Sequence, residues 1–317
     1  MRERDGRAGD AEILCVGELL WDALPAGLFL GGAPFNVACH LRAAGQPVAM
    51  VSRVGDDRLG DEALRRAAAY GVATDLVQRD PSLPTGFVRV ALDAEGGAAF
   101  EILAPAAWDA VAAEPALLRR AASARAIVFG TLAQRAPTTR RTVERLLESS
   151  ALLVFDANLR PPHVDPEVVR RSLARASIVK LTERELRQAA GWFGLAAPGP
   201  DGALEATVAD LAARFDCGAV AVTRGREGSA LWHDGRWTEQ PGFAVEVRDT
   251  VGSGDAFLAV LLAGLLAGGD DAVVLQHASL AGAYVATQPG AVPPDQGATA
   301  APLTADAPPA PRPSRPG

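Results

Sequence analysis

The chain has 317 residues, of which 49% are apolar, and a formal net charge of −7 at pH 7. This length suffices for one large α/β domain or two small ones, and the acidic balance argues against a nucleic-acid-binding protein, which needs a basic face. The cysteines Cys15, Cys39 and Cys217 stand singly, so neither a disulfide framework nor a zinc knuckle is predicted.

Short apolar runs alternate with amphipathic segments along most of the chain. Near-continuous apolar runs are typical of parallel strands buried on both faces. The alternation therefore predicts an α/β fold with a doubly wound, Rossmann-like parallel sheet between two layers of helices. The predicted strands cover residues 13–17, 48–54, 127–130, 152–156, 178–181 and 219–223, and the predicted helices cover residues 61–70, 138–149, 166–175 and 203–215.

Two segments depart from this alternation of strands and helices, because neither is followed by a helix that could cover it. Residues 24–30 and 86–103 are predicted to form short strands separated by turns, with a hairpin turn over residues 93–97. We expect a small β-sheet lid, from about residues 22–32 and 84–104, over a ligand site at the carboxyl ends of the parallel strands. Its exposed apolar face predicts a homodimer formed through the lid.

Residues 11–292 are predicted to form a single domain, and the Pro- and Ala-rich residues 293–317 lack periodicity, which predicts a disordered tail. Residues 1–12 carry charges of both signs and lack the apolar stretch of a secretion signal. The longest apolar run, residues 256–267, is shorter than the ~20 residues that a membrane span needs. We therefore expect a cytoplasmic protein with no membrane partner.

The strongest chemical signal is RDTVGSGDAF at residues 248–257, followed by an apolar helix. Gly252 and Gly254 let the backbone approach a ligand closely, Ser253 is a candidate N-cap, and free N–H groups at the helix start form a site for phosphate oxygens. Asp255 in the first turn is suited to taking a proton from a hydroxyl that attacks phosphorus. An ordinary capped helix, with an aspartate favoured by the helix dipole, also explains this segment taken alone.

Two other phosphate-binding patterns are absent from the sequence. A Walker loop needs Gly-Lys-Ser or Gly-Lys-Thr, and Lys180, the only lysine of the chain, lies between Val179 and Leu181. The pair Gly252 and Gly254 is not followed by the third glycine of a dinucleotide fingerprint. A nicotinamide enzyme is therefore disfavoured.

Five motifs, in order, resemble those of the ribokinase-like (PfkB) carbohydrate kinases. They are GGAPFNVA at 31–38, VGDDRLG at 54–60, FDANLR at 155–160, VTRGREG at 222–228 and DTVGSGD at 249–255. The resemblance covers about residues 13–292. It implies a ribokinase-like fold and transfer of the γ-phosphate of ATP to a sugar hydroxyl, with Mg²⁺ as the metal cofactor.

The segment GELLWD at residues 17–22 is most similar to the fructokinase branch of this family, which implies fructose as the acceptor. Kinases for another sugar or for a nucleoside are the alternatives. Trp108, in a segment with the same similarity, either offers a flat apolar face to a sugar ring or packs in the core.

The resemblance also implies roles for individual residues. Asp255 would be the catalytic base, and the backbone N–H groups of Gly252, Ser253 and Gly254 would stabilise the charge on the transferred phosphoryl group. The implied sugar ligands are Asp22, Gly31, Gly32, Asn36, Arg160 and Asp255. The implied nucleotide-site residues are Lys180, Glu185, Thr223, Gly225, Gly228, Gly252 and Gly254.

Two metal sites are implied in the same way. Glu185 matches the acidic position of an Asn-x-x-Glu motif near magnesium, although Thr182 stands where the asparagine is usual. Asp249, Val251 and the loop near Gly290 match the place where some relatives bind a monovalent cation such as K⁺. The departure at position 182 leaves open a catalytically silent sugar-binding homologue, whereas the retained aspartate and its flanking glycine loop favour an enzyme.

Overall fold

A computed structural model describes residues 11–24, 27–92, 98–199 and 203–294. The predicted hairpin turn at 93–97 and the predicted tail from residue 295 onward lie outside these ranges. The strands are β1 (Ile13–Val16), β2 (Leu20–Leu24), β3 (Gly27–Gly31), β4 (Val48–Gly55), β5 (Val77–Asp80), β6 (Gly86–Leu92), β7 (Ala98–Ile102), β8 (Ala126–Gly130), β9 (Leu152–Asp156), β10 (Ile178–Thr182), β11 (Ala219–Thr223), β12 (Ser229–His233) and β13 (Arg236–Gln240). The helices are α1 (Ala33–Ala43), α2 (Arg58–Ala69), α3 (Pro115–Ser123), α4 (Pro137–Leu146), α5 (Pro166–Leu173), α6 (Glu183–Phe193), α7 (Glu205–Phe215), α8 (Ser253–Leu266) and α9 (Asp271–Ala286).

The larger sheet confirms the predicted α/β architecture. Over the described ranges its strand order is β13-β12-β11-β10-β9-β8-β1-β4-β5, and the strands from β11 to β5 run parallel. The alternation along β1 shows why the apolar runs are continuous. Ile13 and Cys15 pack into a core on one face with α1 and α8, whereas Leu14 and Val16 pack into a core on the other face. Both faces of the sheet are buried, so polar and apolar residues do not alternate along the strand.

The sheet reverses its winding direction beside β1. The chain leaves β1 towards β4 on one side and later returns to β8 on the other. In open α/β sheets, the crevice outside the carboxyl ends of the strands at such a reversal is the usual place for a ligand. Residues 17–22 follow the end of β1 and residues 130–131 lie at the end of β8, so both segments border the expected crevice.

The apolar run at residues 256–267 falls largely within α8, which packs between α1 and α9. A helix that is apolar on all sides must be buried on all sides, and every residue from Asp255 to Gly264 is buried. Among the described residues, no helix is both long enough and apolar enough to cross a membrane.

A second sheet, of order β3-β2-β6-β7 within the described ranges, confirms the small sheet expected from the two segments without a covering helix. It starts at Leu20, before the predicted segment, because Trp21 is buried in the core and donates from Nε1 to the carbonyl of Leu59 at 3.0 Å. The motif at 54–60 anchors this sheet. Asp57 caps α2 through the N–H of Gly60 and also accepts hydrogen bonds from the N–H and hydroxyl of Thr85.

Trp108 packs at the base of the small sheet, against Leu132 and Ile102. Its side chain is fully buried, and the guanidinium of Arg135 lies 3.8 Å from the centre of its ring. The same guanidinium donates two hydrogen bonds of 2.8 Å to the carboxylate of Asp109. Of the two roles that the sequence leaves open for Trp108, the structure therefore supports core packing.

Candidate active site

The segment rich in glycine lies where the sequence places it, at the amino end of α8. Gly252 is the N-cap residue, with φ of 80°, and a Cβ there would lie 2.5 Å from Cα of Ala291. Only glycine tolerates both the left-handed backbone and this contact. The prediction that Ser253 caps the helix is wrong, because this residue is already in the first turn and its buried hydroxyl has no partner among the described residues.

The first turn of α8 is therefore not capped by a side chain. The N–H of Ser253 makes a long bond of 3.3 Å to the carbonyl of Thr250, and the bond from Ala256 to the carbonyl of Gly252 starts the helix. Uncapped N–H groups at a helix start carry partial positive charge and favour an anion. The backbone at 252–254 thus keeps the donor character that the sequence predicts.

Asp255 faces α1 from this first turn. Its side chain is buried, and its Oδ2 accepts a hydrogen bond of 2.8 Å from Nδ2 of Asn36. Asn36 does not cap α1, because Gly32 holds that position. Its Oδ1 is buried without a partner among the described residues, which is unusual for a buried amide oxygen and points to a ligand hydroxyl. The fold thus brings together two predicted site residues that lie 219 positions apart.

The remaining predicted sugar ligands surround this pair. A Cβ on Gly31 would lie 2.3 Å from Oδ2 of Asp22 and 4.0 Å from Oδ1 of Asn36, and a Cβ on Gly32 would lie 2.2 Å from the carbonyl oxygen of Glu18. The glycine pair therefore lets the chain pass directly against the two acidic residues. The cation of Arg160 is close enough to lower the pKa values of both Glu18 and Asp22.

The charged residues around Asn36 are the carboxylates Glu18, Asp22 and Asp255 and the cation Arg160, so negative groups are in excess. Burial raises the pKa of Asp22 to about 6, opposed by Arg160 and supported by the negative charge of Asp255. Burial likewise raises the pKa of Glu18 to about 7, although its own N–H and that of Ala33 favour the ionised form. A crevice lined by buried carboxylates suits a ligand that brings many hydroxyl donors.

A cavity of about 1030 Å³ opens on the other side of the α8 amino end. Its wall contains the predicted residues Lys180, Thr223, Gly225, Gly228, Ser253 and Gly254. Exposed apolar residues of the loop after β13 form one side, among them Val245 and Val247. Uncapped backbone N–H groups at one end and an apolar wall at the other suit a nucleotide.

Lys180 forms a buried ion pair beneath this anion loop. Its Nζ lies 3.0 Å from Oδ1 of Asp156, and a Cβ on Gly254 would lie 2.9 Å from Nζ. Burial raises the pKa of Asp156 to about 6, opposed by Lys180. Burial also disfavours the charged lysine, but Asp156, Glu185 and Asp255 outweigh this effect and raise the lysine pKa. The pair is therefore ionised at neutral pH.

Glu185 lies behind the cavity and not in its wall, where its neighbour Glu183 is found. The two oxygens of Glu185 accept hydrogen bonds of 2.7 Å from the N–H groups of Leu159 and Thr182. The hydroxyl of Thr182 in turn accepts a bond from the N–H of Glu185, which completes a capping box for α6. Within the ranges that the structure covers, no cluster of three or more His, Cys, Asp or Glu side chains is arranged to hold a metal ion.

Asp249 joins the two segments implied to hold a monovalent cation. Its Oδ1 accepts a hydrogen bond of 3.0 Å from the N–H of Val251, and its Oδ2 accepts one of 3.2 Å from the N–H of Gly290. The three positions are thus adjacent, on the outer side of the anion loop.

Two further acidic residues of the site, Glu18 and Asp156, are missed by the sequence prediction, although a signal for them exists. Glu18 is a charged residue between the apolar runs of β1 and β2, and Asp156 is the last residue of a predicted buried strand. A carboxylate that is costly to bury marks a functional candidate when it stands at the carboxyl end of a parallel strand.

Glu18→Gln is expected to stabilise the protein at pH 8, because the folded-state pKa of about 7 lies above the ordinary value of 4.5. The stabilisation from the bound proton is complete below about pH 4 and is lost as the pH rises through 7. The variant should exceed the wild type by up to about 3 kcal/mol in unfolding free energy at pH 8 and by much less at pH 5. Urea unfolding at several pH values measures this difference.

Glu62→Gln is the control for this experiment. Hydrogen bonds from Arg65 and Arg66 lower the pKa of Glu62, so its replacement should not stabilise the protein at pH 8. A Glu18 variant whose gain in stability does not change between pH 5 and pH 8 would contradict the assigned pKa.

Comparison with known proteins agrees with this geometry. The model of the pfkB family carbohydrate kinases matches residues 17–296. The fructokinase of Klebsiella pneumoniae is 30% identical over 274 residues, which cover 82% of this chain and 86% of that protein. The fructokinase of Rhizobium leguminosarum bv. trifolii is 30% identical over 271 residues, or 80% of this chain and 79% of that one.

Among solved structures, the fructokinase of Xylella fastidiosa with bound ATP has a TM-score of 0.75 and 26% identity, covering 89% of this chain and 94% of that chain. The match of the family model to most of the chain confirms the resemblance that the five motifs carry. This chain belongs to the pfkB family of carbohydrate kinases and is a sugar kinase.

Proposed function

We propose that this sugar kinase transfers the γ-phosphate of ATP to a primary hydroxyl of a monosaccharide, with fructose as the preferred acceptor. The observation that carries the proposal is the position of Asp255, which directly follows Ser253 and Gly254 of the cavity wall and is held at 2.8 Å by Asn36 of the acidic crevice. A hydroxyl bound in the crevice and a polyphosphate bound in the cavity would meet at this carboxylate.

In the proposed reaction, Asp255 accepts the proton of the attacking hydroxyl. Because Asn36 donates to Oδ2, this oxygen is partly neutralised and Oδ1 remains the stronger proton acceptor. The unpartnered Oδ1 of Asn36 accepts a bond from another sugar hydroxyl. Asp22 and the glycine pair complete the ring of acceptors, with Arg160 at its edge.

On the phosphate side, the N–H groups at 252–254 point to where negative charge grows during phosphoryl transfer. Lys180, whose side chain is buried, places a positive charge directly below this loop. Thr223, Gly225 and Gly228 lie along the nucleotide in the cavity wall. These groups stabilise a charge-rich transition state without forming a covalent bond to the substrate.

Magnesium and a monovalent cation are part of the proposal. Mg²⁺ keeps several waters and binds largely through substrate phosphates, so the absence of a carboxylate cage among the described residues fits a metal that arrives with ATP. When bound, it neutralises phosphate charge. Glu185 supports it indirectly by fixing Thr182 in the cavity wall. A K⁺ ion, where used, would bind beside Asp249 and Val251 and so stabilise the anion loop.

Fructose is the first choice because the relatives from Klebsiella pneumoniae, Rhizobium leguminosarum and Escherichia coli are fructokinases. At 30% identity or less, other sugars and nucleosides remain the alternatives. We expect coupled ADP release over a panel of sugars and nucleosides to give the highest kcat/KM with fructose. A higher value with another acceptor would reject the fructose assignment and keep the kinase.

The second candidate is a silent sugar-binding homologue, favoured by Thr182 at the usual asparagine position. Calorimetric binding of a sugar without ADP release on any member of the panel would support it. Binding together with turnover would exclude it.

We further propose that residues 11–292 act as one domain, that the small sheet is a lid, and that two lids pair in a homodimer. Leu28 of β3 supports this pairing, because it is a large apolar side chain that is 40% exposed. A solution mass near 32.8 kDa, that of one chain, would reject the dimer.

The three free, buried thiols and the use of ATP support a location in the cytoplasm.

A further inference from the structure

His40 is a buried histidine that the proposed reaction does not use. It lies in α1 one helical turn after Asn36, so both side chains project from the same face of the helix. Its side chain is 1% exposed. Asn36 contacts Asp255 from this face, and His40 contacts the segment that lies behind the anion loop.

The hydrogen bond of His40 fixes its tautomer. Nε2 lies 3.0 Å from the carbonyl oxygen of Ala291. A carbonyl only accepts, so Nε2 must carry the hydrogen. Nδ1 is then a bare acceptor, and it has no partner among the described residues. Burial lowers the pKa of His40, which agrees with a neutral ring.

Ala291 in turn packs directly on the anion loop. A Cβ placed on Gly252 would lie 2.5 Å from both Cα and Cβ of Ala291 and 2.7 Å from its carbonyl oxygen, the atom that His40 holds. The preceding residue, Gly290, donates its N–H to Asp249 at 3.2 Å. Residues 290–291 thus form a backstop, fixed at one end by Asp249 and at the other by His40, against which Gly252 rests.

We propose that His40 is a positioning residue that holds this backstop and so fixes the conformation of Gly252 and of the loop that presents the N–H groups of 252–254 beside Asp255. This inference rests on the proposed function. Helix α1 then controls both reacting sides of the site, the base through Asn36 and the anion loop through His40 and Ala291. A one-ångström misplacement of catalytic groups can cost roughly a hundredfold in rate.

The energetics of the histidine favour this role over a purely structural one. A buried nitrogen without a partner lowers stability, and an apolar side chain at this position would avoid that cost only by leaving the carbonyl of Ala291 without its donor. A residue that breaks a packing rule in the core, next to a reactive site, is more simply explained by function.

The test compares His40→Leu, which removes the donor and keeps the bulk, with His40→Gln, whose amide restores a donor near Nε2. His40→Leu should lower kcat about tenfold or more while changing KM for the sugar less than about threefold, because the loop and not the sugar crevice is displaced. His40→Gln should recover most of the lost kcat. His277→Gln, at a partly buried histidine outside the cavity wall, is the control.

Hydrogen exchange of the ligand-free protein supplies a readout that needs no turnover. The backbone amides of residues 250–256 and 288–292 should exchange faster in His40→Leu than in the wild type, and nearly as in the wild type in His40→Gln. Unchanged exchange in His40→Leu would overturn the proposal. An equal fall in kcat and in melting temperature for both variants would also overturn it, because the residue would then only fill space.

These results separate the two hypotheses. If the wild type phosphorylates no acceptor, the proposed function fails, yet the exchange experiment still shows whether His40 fixes the anion loop. If the wild type is active and the exchange is unaffected, only the role of His40 fails. Should His40→Leu not fold, the same comparison between His40→Gln and His40→Asn applies, because the shorter asparagine amide does not reach Ala291.

Discussion

Asp255→Asn should lower kcat by about 10²–10⁴, which is the range for loss of a positioned general base. The amide is nearly isosteric with the carboxylate but is not a base at neutral pH. The variant leaves the anion loop and the cavity wall unchanged, so ATP affinity should stay within a few-fold of the wild type. Steady-state ADP release gives kcat, and calorimetry gives the ATP dissociation constant.

A matched control for this variant is Asp61→Asn. Asp61 also lies in the first turn of a helix, α2, and pairs with Arg79 at 2.6 Å, so its replacement tests whether loss of a first-turn carboxylate, with its helix-dipole contact and its ion pair, has any effect on turnover. A kcat for Asp255→Asn close to that of Asp61→Asn would remove Asp255 from the role of base. It would favour an aspartate that is present only for its interaction with the helix dipole.

Lys180→Met should strongly destabilise the protein. It leaves Asp156 buried without its cation, and breaking such a pair costs about 3–5 kcal/mol. Burial already raises the pKa of Asp156, and without Lys180 it rises further. Protonation of Asp156 then removes the free-energy cost of burying its charge without a partner. The loss of unfolding free energy should therefore be largest at pH 8 and shrink at pH 5.

The double variant Asp156→Asn with Lys180→Met separates charge from packing. It removes both members of the pair, so it should recover most of the stability lost in the single variant. Its affinity for ATP should stay low, because the cation beneath Gly254 is still missing. Equal destabilisation of the single and double variants, measured by urea unfolding at pH 8, would show that the lysine acts through packing alone.

The parallel core of the fold can be predicted from the sequence because burial on both faces leaves a plain signal. The apolar runs locate β1, β8, β9 and β11 to within about two residues. The edge strand β13 and its neighbour β12 escape prediction, because each has only five residues and neither shows a continuous apolar run or a polar-apolar alternation. Short strands give a weak hydrophobic pattern in the sequence, and pairing with neighbouring strands determines whether they form.

The candidate site is predictable where backbone geometry constrains the residue type. Gly252 and Gly254 can be selected from the sequence because the loop admits no side chain. The predicted capping role of the Ser253 hydroxyl is wrong, since the sequence does not show that the helix starts one residue earlier than a serine cap requires. Glu185 is placed by its capping box with Thr182, a local interaction that spacing alone does not distinguish from a metal contact.

His40 is a third kind of residue, which the sequence cannot identify. One histidine on an apolar helix face gives no pattern of spacing. Its importance depends on Ala291, which is 251 residues away in the chain. Such a contact becomes visible only when the fold brings α1 beside the end of α9.

The solitary lysine has a practical consequence for anyone labelling this protein. Apart from the amine at the start of the chain, reagents that acylate amines have one target, Lys180, and it is 4% exposed in the wall of the large cavity. Acylation there would require Lys180 to leave its ion pair with Asp156, and a nucleotide bound in the cavity as proposed would block it. The extent of modification, read by mass spectrometry, would therefore report the fraction of molecules whose cavity is occupied by a nucleotide. For the same reason, amine coupling to a sensor chip would be a poor way to immobilise the molecule.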